Sequence, residues 1–305
     1  MMFFGCTVWT VQWAPPYEDA VRRVARMGLK GVELIAWTAD VLTDYYTPDT
    51  IRNMRSILDG EGLTLTNFYH GPPKLGSPDA GERASAVADF SRATEVAVAL
   101  GSPMVTMTAP YPFNNEVPRL LTRPTTQEWI VNVSSDLDWT QNYDDYVAAM
   151  QQCCARAAEA NLKVAIEPHP YRWVSSAQGM LRLIERTGAD NLGLNVDPSH
   201  LFPGGDIPHY TVYALGSHVH HTHCSDNDGQ SNAHWRPGKG KVDWAAFLRA
   251  LKDIGYDSVL SLELEDVPGC STRDRPSTPE LDGEMRRSMR YLEDLCTEQD
   301  ISIRR

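Results

Sequence analysis

Eight short apolar runs, each followed by a longer stretch of helical periodicity, constrain this 305-residue chain more than any other feature. The runs are Phe3–Trp9, Gly31–Ile35, Leu63–Phe68, Met104–Thr108, Lys163–Glu167, Leu192–Asp197, His218–His223 and Val259–Glu263. Each has strand length, and near-continuous apolar character marks strands covered on both faces, as in a parallel sheet. Helical stretches lie between them: YEDAVRRVARMG from Tyr17, SAVADFSRATEVAVALG from Ser85 and DDYVAAMQQCCARAAEANL from Asp144. Further helices are expected at Ala177–Thr187, Asp243–Ile254 and Pro279–Cys296. In the stretch from Asp144, Tyr146, Met150, Cys153 or Cys154, and Ala157 recur at steps of three and four, which makes one apolar stripe. Gly28, Gly62, Gly101, Gly188 and Gly255 stand where helices end on a left-handed residue. Asp243 is placed to cap the helix that follows it.

This alternation predicts the α/β class, and within it a closed (β/α)8 TIM barrel forming a single domain over residues 1–305. The alternative, an open doubly wound sheet, calls for a glycine-rich phosphate loop after the first strand, and TVWTVQWAPP has none. One segment exceeds the minimal repeat. Residues 110–142, after the fourth strand, form a proline-rich insertion with two tryptophans. Connections this long in compact domains are usually lids, binding loops or partner contacts.

The totals narrow the range of partners. A formal net charge of −12 disfavours a nucleic-acid partner, whose phosphates want a basic face. The six cysteines include no C-x-x-C pair and read as reduced, buried thiols of a cytoplasmic protein. The start, MMFFGCTVWT, lacks the basic and long apolar regions of a signal peptide. No apolar run approaches the ~18 residues of a membrane helix, so the lone sequon at Asn132 reads as accidental. The expected partner is a small molecule, with no nucleic acid and no membrane. A second copy or a partner subunit remains compatible with the insertion.

In a parallel barrel the active site lies at the C-terminal ends of the strands. There the last four runs place Glu167 (KVAIEPHP), Asp197 (GLNVDPSH), His223 (HHTHCSDND) and Glu263 (VLSLELED). A charged residue ending an apolar strand is costly unless it is partnered. Four in succession are best explained by a shared cation. Three carboxylates and one imidazole make an oxygen-rich set suited to Mn²⁺, with Mg²⁺ or Co²⁺ also fitting; the lack of thiolate argues against structural zinc.

Four of the nine histidines fall in SHVHHTHCSDNDG, from Ser217. Strand alternation sorts them. With Val219 inward, His221 and His223 face the barrel, His223 nearer the mouth as ligand and His221 beneath it as a residue that could orient a ligand. His218 and His220 face the helices as packing residues. Trp9, Trp37, Tyr69 and His70 end the first three strands, where Trp37 and His70 are candidates for a substrate-facing wall. Glu33, in GVEL, is expected to pair inside the barrel.

These motifs, GVEL at Gly31, IEP at Ile166, NVDPSH at Asn195, HTHCSDNDG at His221, PGKGKVDW at Pro237 and GYDSVLSLELED at Gly255, resemble the sugar phosphate isomerase/epimerase superfamily. This is the group of xylose-isomerase-like barrels that includes ketose 3-epimerases, inosose dehydratases and endonuclease IV relatives. The resemblance implies a divalent metal held by Glu167, Asp197, His223 and Glu263. It implies proton transfer next to a carbonyl by Glu167 and Glu263, through a metal-stabilised enediolate, on a sugar, keto-sugar or polyol. It also implies His200, of the D-x-x-H motif, as a substrate contact and a substrate-binding arginine for which Arg236 is the nearest candidate; His169 is placed to join His200 in contacting substrate or shuttling protons. The chain departs from ketose epimerases after Glu167, where it reads EPHPYRW and lacks their further glutamate. The loop GQSNAHWRPGKG is longer than theirs. Those departures open a lyase alternative of the C-glycoside deglycosidase or inosose dehydratase type, with His169 as an imidazole base. Readings from other classes are an endonuclease IV-type phosphodiesterase, which needs more ligands and a basic groove, and a non-catalytic binding subunit.

Overall fold

The computed structural model describes residues 1–114 and 135–304. Eight strands, β1 (Met2–Thr7), β2 (Gly31–Ile35), β3 (Thr64–Tyr69), β4 (Met104–Thr108), β5 (Lys163–Glu167), β6 (Leu192–Val196), β7 (Val219–Cys224) and β8 (Val259–Leu262), run parallel in sequential order. The sheet closes because β1 pairs with β2 on one side, Cys6 opposite Val32, and with β8 on the other, Cys6 opposite Leu262. The result is the (β/α)8 barrel expected from the alternation. A short ninth strand, β9 (Ile303–Arg304), pairs with β1 at Met2.

Burial explains why the apolar runs are strands. Every residue of β1, β2, β6, β7 and β8 is buried, since side chains point alternately into the barrel and against the helices. The helices turn one stripe inward. In Trp139–Glu159, Tyr146, Met150, Cys153, Cys154 and Ala157 are all buried. The helix ends are fixed chemically as well: Asp243 accepts from the Ala246 amide at 2.9 Å, and all five predicted terminal glycines have positive φ.

Several details differ from expectation. The first strand ends at Thr7, and Val8–Val11 turns into one helical turn that tucks Trp9 under the barrel mouth. The helix Pro48–Glu61 is absent from the sequence reading, because its face is largely polar. It is set instead by its ends, with Thr47 Oγ1 accepting from the Thr50 amide and Gly62 at φ 66°. Helices Ala39–Asp44 and Pro208–Leu215, of six and eight residues, are also absent from that reading. The six cysteines are free and buried. No helix among the described residues is long and apolar enough to cross a membrane. Residues 115–134, with most of the 110–142 insertion and Asn132, lie outside the described residues.

Candidate active site

The four residues picked from strand ends meet in one place. Glu167 ends β5, Asp197 follows β6, His223 lies in β7 and Glu263 follows β8, and one donor atom from each lies within 4.8 Å of the others. His223 Nδ1 is 2.5 Å from Glu167 Oε1, 3.1 Å from Glu263 Oε2 and 3.8 Å from Asp197 Oδ2. All four residues are buried.

Each carboxylate has one oxygen committed elsewhere. Asp197 Oδ1 accepts from the Ser199 amide at 2.7 Å, which caps the short helix Pro198–Leu201. Glu263 Oε1 accepts from Trp9 Nε1 at 2.8 Å. Their other oxygens, Asp197 Oδ2 and Glu263 Oε2, are buried without a hydrogen-bond partner and face the cluster. Glu167 Oε1 accepts from Asn195 Nδ2 at 3.2 Å, and Oε2 lies 3.2 Å from His169 Nε2. Buried carboxylate oxygens left without donors are costly. A hard divalent cation removes that cost, so the donor set fits one.

The metal-free electrostatics tell the same story. Burial pushes the Glu263 carboxyl up to about 8, with Glu167 adding to the rise and His223 offsetting part of it. Burial also works to raise Glu167 and Asp197, but imidazoles overcome it. The charge on His223 and the contact with His169 hold Glu167 low; His200, His223 and His234 do so for Asp197. Burial opposes charge on His223, yet Glu263, Glu33 and Glu167 push it well above the usual imidazole range. Three carboxylates around one nitrogen demand a positive charge, supplied by a proton or by a metal ion.

Around the cluster stands a row of imidazoles. His169 lies against His200, ring centroids 3.5 Å apart, and His200 lies 4.8 Å from His234. His200 Nε2 and His234 Nε2 each approach Asp197 Oδ2 at 3.6 Å, and His234 is also 3.6 Å from Glu263 Oε2. Burial holds His200 down to about 4 and, helped by His200, holds His169 well below its ordinary value. His234 escaped the sequence reading. It sits in an irregular loop, where neither strand alternation nor a strand end marks it out. Asn232 fixes this pair: its Oδ1 accepts from His200 Nδ1 at 2.8 Å, and its carbonyl lies 3.1 Å from His234 Nδ1.

The remaining candidates separate. Trp37 stacks on Trp13 at 4.4 Å and packs against Trp9 at 5.9 Å, so it belongs to an aromatic wall one ring removed from Glu263. His70 is buried with Nδ1 2.8 Å from the Ala36 carbonyl and Nε2 unpartnered. Arg236 turns to the last helix, its Nε 3.4 Å from Glu284 Oε2, and has no described contact with the cluster. His218 and His220 approach the Leu192 and Val164 carbonyls, the packing role expected of them.

A family model described as a xylose isomerase-like TIM barrel matches residues 21–295. The chain belongs to the xylose isomerase-like TIM barrel family. Within this family it is 23% identical over 263 residues to a D-psicose 3-epimerase of Ruminiclostridium cellulolyticum, covering 84% of this chain and 80% of the relative. A 112-residue stretch is 30% identical to an inosose isomerase of Bacillus subtilis, covering 34% of this chain and 40% of that protein. The crystal structure of D-psicose 3-epimerase with D-tagatose from Clostridium cellulolyticum superposes with a TM-score of 0.76 at 19% identity, over 96% of this chain and 99% of that one. That likeness shows a shared barrel fold.

Proposed function

We propose that this chain is a divalent-metal-dependent isomerase or epimerase of a sugar, keto-sugar or polyol. The observation that carries the reading is the buried convergence of Glu167, Asp197, His223 and Glu263, with two carboxylate oxygens that make no hydrogen bond. The names of its relatives, a D-psicose 3-epimerase and an inosose isomerase, support the substrate class. These four residues would hold the cation, with Mn²⁺ favoured and Mg²⁺ or Co²⁺ compatible. When bound, it supplies Lewis acidity to the oxygens of a carbonyl substrate.

The protein's own groups then move the proton. Glu167, from β5, and Glu263, after β8, come from different strands; the reading places a substrate carbon between them, with one carboxylate for each face. One takes the proton from the carbon beside the carbonyl, and the other returns a proton to the enediolate from the opposite face, which inverts the centre. Trp9 holds Glu263 by Oε1 and so fixes the direction in which Oε2 faces the cluster. His169 orients Glu167, and His200 is placed to meet substrate oxygens. Trp37 and His70 line the early-strand side.

A second reading has one observation in its favour. His169, packed on His200 and 3.2 Å from Glu167, offers an imidazole for carrying the proton in a β-elimination from a keto-sugar. Both readings share the first step, and the product separates them: an epimer retains all its oxygens, whereas elimination gives an unsaturated product.

The test is exchange of a carbon-bound proton with deuterated water, across free ketoses, inososes and 3-keto glycosides in the presence of Mn²⁺. At least one class should exchange, and Glu167→Gln and Glu263→Gln should each slow exchange by about 10²–10⁴. Absence of exchange in every class, or full exchange in both variants, contradicts the proposal.

A further inference from the structure

Glu33, in β2, is fully buried, and the proton-transfer chemistry above leaves it unused. Its oxygens are met by nitrogen and oxygen donors from three other strands. Asn67 Nδ2, from β3, donates to Oε2 at 2.8 Å, and Ser261 Oγ, from β8, donates to Oε1. From β7, His221 Nε2 lies 3.0 Å from Oε1 and His223 Nε2 3.2 Å from Oε2. No lysine or arginine among the described residues pairs with this carboxylate; two imidazoles take that place.

The contact with His223 decides how that ring can bind. A neutral imidazole carries one N–H and one lone pair. With Nε2–H directed at Glu33, the lone pair is at Nδ1. Asn195 Nδ2 sits 3.1 Å from Nδ1, as a donor to an unprotonated nitrogen would. Nδ1 is also the atom that faces Glu167, Asp197 and Glu263. Outer carboxylates on ligating histidines fix the tautomer and raise ligand basicity.

We propose that Glu33 is the positioning residue of the metal centre: it holds His223 as the Nε2–H tautomer with Nδ1 aimed at the cation. This rests on the metal site proposed above. Asn67, Ser261 and His223 meet Glu33 as donors, so a glutamine there offers one acceptor oxygen and must turn its own NH₂ toward another donor. Glu33→Gln is therefore a sharper change than its size suggests. Glu33→Asp keeps both acceptors and shortens the arm by one methylene.

The test measures Mn²⁺ affinity by competition with a chelator, alongside histidine ¹⁵N NMR of the Mg²⁺-loaded wild-type protein. Glu33→Gln is expected to bind Mn²⁺ about 10–100-fold more weakly than wild type, with Glu33→Asp recovering part of the loss. The His223 proton is expected on Nε2. Mn²⁺ binding by folded Glu33→Gln within twofold of wild type, or a His223 proton on Nδ1 in the Mg²⁺-loaded chain, overturns the proposal. If Glu33→Gln does not fold, Glu33→Asp decides, and Mn²⁺ affinity of that variant within twofold of wild type overturns the proposal. A wild-type chain that binds no Mn²⁺ overturns the metal site and this inference together, whereas failure of Glu33 alone leaves wild-type binding intact.

Discussion

Trp9 Nε1 donates to Glu263 Oε1 across 2.8 Å, so the first βα connection fixes the carboxylate supplied by the last strand. The bond holds the carboxylate by Oε1 and leaves Oε2 as the one oxygen it turns to the cluster. Trp9→Phe keeps an aromatic ring beside Trp37 and His223 but removes the donor. We expect kcat/KM to fall about tenfold, or ~1.4 kcal/mol, with Mn²⁺ stoichiometry unchanged. Steady-state kinetics with metal analysis measures both; an unaltered rate argues against a role for the bond.

Asp226 anchors the loop that delivers His234. Its Oδ2 accepts from the Gly238 amide at 2.9 Å and Trp244 Nε1 at 3.0 Å, and Oδ1 from the Val242 amide at 3.1 Å. Its backbone also pairs with Trp235 in both directions. Asp226→Ala leaves buried donors without acceptors and is expected to cost about 3 kcal/mol in a denaturant titration. A loss below about 0.5 kcal/mol would place the loop's stability elsewhere.

The same loop has no room for a side chain at Gly240, where a Cβ would lie 2.2 Å from the Asn227 carbonyl oxygen. Gly240→Ala must shift backbone. It should lower thermal stability and weaken substrate binding together, measured by melting temperature and KM. A melting temperature equal to wild type contradicts this.

His220 gives a pH dependence remote from the cluster. Burial, with Lys163 adding to it, pushes this imidazole down to about 4, and its Nδ1 lies 3.2 Å from the Val164 carbonyl. The unfolded chain takes up the proton near pH 6.5, whereas the folded chain resists it until about 4. The unfolded state thus binds more protons in that window, and folding stability falls as pH drops through it, by up to about 3 kcal/mol. Above pH 7 the residue has no effect. His220→Asn should flatten the stability profile between pH 6.5 and 4 relative to wild type; parallel profiles contradict the assignment.

Much of this was legible in the sequence, for identifiable reasons. Strand ends are marked by a change from apolar to charged, so Glu167, Asp197, His223 and Glu263 stand out in the sequence. Period-two alternation separated His221 and His223 from His218 and His220, and the structure keeps that division. His234 was hidden because a loop has no periodicity, and its position depends on the neighbouring Asn232 carbonyl and on the distant Asp266 carboxylate, which accepts from its amide. The contact of Arg236 with Glu284 is equally long-range, joining that loop to the last helix. The helix Pro48–Glu61 was missed because only Met54, Ile57 and Leu58 are buried in it, too short a stripe to register.

The most direct measurement of the proposed centre is equilibrium titration of metal-stripped protein with Mn²⁺, comparing wild type with His223→Ala and Glu263→Ala. Wild type should take up one ion per chain, and each variant should bind about a hundredfold more weakly or not at all. A wild-type chain with no stoichiometric site for Mn²⁺, Mg²⁺ or Co²⁺, or one whose Mn²⁺ affinity survives both substitutions, contradicts the metal centre on which the proposed chemistry stands.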